Sequence, residues 1–157
     1  LFSDVTADNV LLRGTEEVEA ADWSVAETFT IDIRQSEFRP SIVRILHGEP
    51  YIMVLENRDD IEHVFVAREF FTIIAVRKIV EEEKELPPGF LTAIVLPPGA
   101  ITELHFIPMR DGWFEFRDES PSFAQLPYLE DIPYLDKLPF LSRGDVQGVV
   151  GAIIVEE

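Results

Sequence analysis

Only three side chains in this chain carry an imidazole, those of His47, His63 and His105, and no cysteine stands beside them. Histidine can ligate a metal or move a proton near neutral pH. Without a thiol the chain has no disulfide, no zinc-thiolate centre and no cysteine nucleophile. It also has no nucleophile elbow, no phosphate-cradling glycine loop and no evident ligand triad, so a conventional enzyme is not expected. Paired carboxylates carry no weight in a chain with 30 Asp and Glu. The acidic run at 81–85 could capture cations, although a solvated hairpin tip is the commoner origin of such a run.

A second group of residues could act by contact rather than by reaction. LPYLED (126–131), IPYLDK (132–137) and LPFLSR (138–143) are imperfect copies of one six-residue unit. A proline in every unit forbids a continuous helix or a central strand, which leaves an extended or turn-rich arm. Tyr128, Leu129, Tyr134, Leu135, Phe140 and Leu141 are then either a lid across the open end of the body or an exposed surface for a protein partner.

The elements that must position these residues read as strands. With 157 residues, 46% of them hydrophobic, the chain is long enough for one domain with its own core. Twelve Phe, punctuated by 11 Pro and 8 Gly, favour an all-β sandwich or barrel. A net charge of −17 argues against nucleic acid as a partner. No apolar run approaches the roughly 20 residues of a membrane helix. Membrane association is therefore expected only through a partner or a removed anchor. The start at Leu1 is compatible with such removal.

Residues 1–27 read as an acidic arm, with 1–14 a candidate edge strand and Trp23 an anchor onto the body. From Thr28 the alternation is regular: Phe29, Ile31 and Ile33 share one face, Val43 and Ile45 continue it, and 51–57 and 63–71 follow as strands. The runs 73–80 and 90–96 are expected to pair as a hairpin. In 101–108, Leu104 and Phe106 point inward and His105 outward, while His47 sits at a turn. Strands at 113–118 and 148–155 close the fold, giving eight or nine strands and no convincing helix.

Over 28–157 the sequence resembles the cupredoxin family, the small Greek-key sandwiches of plastocyanin type. The resemblance rests on Phe38, Pro40, Ser41, Val43, Ile45, Gly48 and Glu49, then Asn57 and His63, then Pro98-Gly99. Gly112, Phe114 and Phe116 follow, and finally Gly148, Val149 and Gly151. It implies a Greek-key β-sandwich with an N-terminal arm (1–27) and a proline-rich insertion (119–147) before the last strand.

The resemblance also implies where copper ligands would fall. His63 is retained, but Asp118 stands at the cysteine position, Pro121 near the second histidine and Val149 at the axial methionine. A blue copper centre requires a thiolate and is therefore excluded. His63 with Asp118, and Glu62 or Glu119 in reach, could still hold copper or iron in an oxygen-rich site. In this type of fold His47 lies far from the ligand end and should not join His63. The expected function is a non-catalytic, extracytoplasmic binding or scaffold subunit, with no resident cofactor, that docks to a larger protein assembly through 124–143. The alternative is a periplasmic copper- or iron-binding domain built on His63.

Overall fold

The computed structural model describes residues 7–86, 88–89, 91–119 and 150–157, without the side chains of 7–13. Two sheets face each other. One is built from β1 (Glu27–Arg34), β2 (Glu37–Arg39), β4 (Tyr51–Asn57), β6 (Ile74–Glu81), β7 (Lys84–Leu86) and β9 (Ile101–Pro108). Its order is β2-β1-β4-β9-β6-β7. The other contains β3 (Ile42–Leu46), β5 (His63–Val66), β8 (Ala93–Leu96), β10 (Gly112–Asp118) and β11 (Val150–Glu156), in the order β3-β11-β10-β5-β8. The β1–β4 and β3–β11 pairs are parallel, because the chain crosses between sheets before returning beside each earlier strand. This is the all-β Greek-key sandwich that the resemblance implied.

Strict alternation drives the two layers together. In β4 the residues Tyr51, Met53, Leu55 and Asn57 are buried and those between are not. Phe114 and Phe116 do the same in β10, as do Ile31 and Ile33 in β1. Between the layers lies an aromatic cluster. The Phe116 ring meets Phe38 edge-on at 4.9 Å and stacks on Phe65 at 5.1 Å. Each such pair adds about 0.5–1.5 kcal/mol beyond the area it buries. Gly151 is required opposite Phe116, since a Cβ there would lie 2.2 Å from the Phe116 ring and 2.5 Å from the Ser41 carbonyl oxygen.

Several expectations need correction. Residues of the arm form a helix, α1 (Ala7–Ala20), rather than an edge strand. It lies against β6 and β9, where Gly14 allows close approach to Ala75. Trp23, in a 3₁₀ turn (Trp23–Val25), anchors to the body as expected. The expected hairpin of 73–80 with 90–96 does not form. The chain turns at Glu82 and Glu83, so β6 pairs with β7, while β8 joins β5 in the opposite sheet. The expected strand 63–71 ends at Val66, and α2 (Arg68–Thr72) turns Phe70 and Phe71 into the core. Eleven strands are present among the described residues, and the last one starts at Val150. His105 does face away from the core but is buried, because Trp23 covers it.

Candidate functional site

The end of β4 sets up the site. Asn57 is buried, and its side-chain amide donates to the carbonyls of Ile61, Leu96 and Pro97. Its side-chain oxygen accepts from the Asp59 amide at 2.9 Å. One side chain therefore shapes the loop 58–62 and fixes where Asp59 and His63 stand. From the other sheet, Asp118 arrives at the end of β10, paired in register with Phe65 of β5.

These elements place His63 between two carboxylates. Its Nδ1 is 2.5 Å from Asp118 Oδ2, and its Nε2 is 2.7 Å from Asp59 Oδ2. The imidazole is fully buried, and the side chains of Asp59 and Asp118 are 12% and 5% exposed. The outer oxygens are also satisfied. The Val64 amide donates to Asp118 Oδ1, while the Gln35 and Ser36 amides donate to Asp59. Each ring nitrogen thus has its own carboxylate partner, and each carboxylate is itself held by backbone amides.

Gln35 and Ser36 both have positive φ, 53° and 57°, in the two-residue turn between β1 and β2. Such turns suit a right-twisted hairpin but disfavour side chains of this kind. Here the turn aims two successive amides at Asp59. Burial works to raise the Asp59 pKa, but the Ser36 amide, His63 and the Gln35 amide outweigh it and hold the group below its ordinary value.

The structure thus joins two of the expected metal-site residues, His63 and Asp118, and leaves two apart. Glu62 is exposed. Glu119 is held by Arg68 through two bonds of 3.1 Å. Asp59 is the member that sequence reasoning missed, and its spacing of four residues before His63 was the available signal. A metal bridging a ring nitrogen and a carboxylate oxygen, with each bond near 2.0–2.2 Å, holds the two donors roughly 3–4 Å apart. The contacts of 2.5 and 2.7 Å are hydrogen-bond distances, and the carboxylates lie at opposite edges of the ring. No group of three or more His, Cys, Asp or Glu suited to a metal ion occurs among the described residues. In this arrangement the side chains do not fit copper or iron.

His47 is exposed at the far end of the sandwich. Its strand runs beside β11 toward Glu156, next to Gly112, whereas His63 lies at the Asp118 end of β10. Pro121, Val149 and the expected contact residues Tyr128, Leu129, Tyr134, Leu135, Phe140 and Leu141 lie outside the described residues. The strands that flank them are described. Trp113 of β10, Val150 of β11 and Ile42 of the adjacent β3 are exposed, Trp113 at 70%. A cleft of about 770 Å³ runs between these residues, bordered also by Ser41, Val66 and Ala152.

No protein-family model matches the sequence, and no curated protein matches it. Solved structures do match. A multi-copper oxidase from Pseudomonas thermotolerans superposes with a TM-score of 0.53 at 16% identity, over 87% of this chain and 31% of the oxidase. The McoA multicopper oxidase of the hyperthermophile Aquifex aeolicus gives 0.51 at 9% identity, over 87% and 30%. Another multicopper oxidase gives 0.51 at 14%, over 88% and 46%. The chain therefore spans about a third to under a half of the oxidases it resembles. At these identities the likeness establishes architecture, and that architecture is the cupredoxin-like Greek-key sandwich.

Proposed function

We propose that the protein is a copper-free cupredoxin-like domain acting as a non-catalytic binding or scaffold subunit of a larger, extracytoplasmic protein assembly, docking through residues 124–143. The observation that carries this reading is the Asp118–His63–Asp59 clamp. Both ring nitrogens are used in hydrogen bonds, and the thiolate of an electron-transfer centre is replaced by a carboxylate. A site closed in this way holds the end of the sandwich together and leaves contact as the remaining work. Two further features support contact: the aromatic repeat of 126–143, and the exposed Trp113 and Val150 on the strands that flank it, with Ile42 exposed on the neighbouring β3.

Light scattering on the intact protein and on a chain lacking 124–143 tests this, together with recovery of partners by each from an envelope extract. Association that depends on 124–143 is expected. A partner-free monomer whose behaviour the deletion leaves unchanged overturns the reading. Elemental analysis after purification without chelator addresses the alternative. Stoichiometric copper or iron that His63→Ala abolishes would replace the scaffold reading with a metal-handling one.

A further inference from the structure

The covered face of the sandwich holds a second buried histidine that the clamp does not use. His105 projects from β9 on the side away from the core, and Trp23 lies over it with ring centroids 6.2 Å apart. The Trp23 indole donates to the Val18 carbonyl of α1 at 3.0 Å, so the ring ties the helix to the sheet. The Arg77 guanidinium lies over the Trp23 ring, 4.9 Å from its centroid. Arg77 is the extra residue of a bulge in β6, since Val76 pairs with Phe106 and Lys78 with His105. The bulge thus re-aims a cation toward the indole.

His105 Nδ1 is buried and has no hydrogen-bond partner. Its Nε2 is 3.3 Å from Glu103 on the same strand, a carboxylate 41% exposed. Lys78 lies directly opposite on β6 and is paired with Glu85 of β7 at 2.7 Å. From the overlying segment, Glu16, Glu17, Glu19 and Asp22 are exposed. A protonated His105 would therefore carry a buried N–H with no acceptor among the described residues, close to Arg77 and Lys78, with the exposed carboxylates of Glu103 and of Lys78-paired Glu85 in compensation. An orphaned buried donor is costly, and a charged one more so.

We infer that Ala7–Val25 is an acid-released strap, held to the β6–β9 face while His105 is neutral and loosened when His105 takes up a proton beneath Trp23. Burial, together with Lys78 and Arg77, lowers the His105 pKa against the pull of Glu103. A histidine with a lowered folded pKa stabilises the closed form above its open-state value, near 6.5, and loses that contribution as pH falls. Strap release uncovers one face of the sandwich without unfolding it.

Amide hydrogen exchange at pH 7.5 and 5.5, corrected for intrinsic rates, tests the strap. Opening of α1 should increase between these pH values, by at most about tenfold, the limit for one proton taken up only by the open form. Amides of β4 and β10 should keep their protection. In His105→Gln and His105→Leu the strap should open equally at both pH values. Two variants guard against one that fails to fold. Unchanged α1 exchange in the wild type overturns the inference. So does a pH response that persists in both variants.

Discussion

His63 is the side chain whose removal the molecule should tolerate least. Deleting the imidazole leaves Asp59 and Asp118 across a buried gap without the hydrogen-bond partner they share. A buried polar group left unsatisfied costs about 1–3 kcal/mol, and His63→Ala should lose stability of at least that order in urea unfolding at pH 7. Asp118→Asn should cost more than Asp59→Asn, because Asp118 is the more deeply buried. The pH dependence follows from Asp59. Its pKa is lowered by folding, so its contribution is present above the unfolded value of about 3.9 and is lost as pH falls through the folded one. The stability difference between wild type and Asp59→Asn should therefore shrink on acidification below pH 4. A difference that stays constant would show that Asp59 acts by shape alone. Gly151→Ala is a separate residue-scale case. The added methyl collides with the Phe116 ring and with backbone at Ser41, both fixed. A loss of at least the 1–3 kcal/mol typical of overpacking is expected in thermal unfolding.

Among the elements, the β1–β2 turn shows how a local cost serves the site. Replacing Gln35-Ser36 by Asn-Gly supplies the residues that positive φ favours and keeps both amides aimed at Asp59. The double variant should be more stable than wild type by about 0.5–2 kcal/mol, measured by urea midpoint at constant m. Such turns were only partly legible in the sequence. Alternation located β1, β3, β4, β9 and β10, because one buried face imposes a period of two. It failed at 73–96 because both runs are apolar and partner choice depends on the sheet each enters. The turn at Glu82-Glu83, with φ of 49° and 66°, is made without glycine and left no signal. The helix Ala7–Ala20 was missed because Gly14 and Thr15 weaken its propensity, while the contact that favours it, Gly14 on Ala75, is 61 residues distant. The histidine and Asp118 could be read from the family pattern. Asp59 left only its spacing of four residues before His63, since its role depends on which way the 58–62 loop turns, and Asn57 decides that through bonds reaching to Leu96 and Pro97.

At the scale of the whole molecule, the sandwich and the insertion are separable by register. Arg117 of β10 pairs directly with Val150 of β11, and the pairing then runs without a break to Gly112 and Val155. The two points where the insertion leaves and re-enters are therefore neighbours across one strand pair, and a short turn can join them. Both strands are also held from outside, β11 by β3 and β10 by β5 through Asp118 and Phe65. The clamp, the aromatic cluster around Phe116 and the strap on the opposite sheet all lie within the described residues outside 120–149. A chain in which a four-residue turn replaces 120–149 should then fold with the same near-ultraviolet circular dichroism and a cooperative transition within a few degrees of the intact protein. Loss of cooperativity would mean that the insertion completes the core. Retention of the fold together with loss of association would place binding in the insertion and stability in the clamped sandwich, the division of labour that a copper-free scaffold requires.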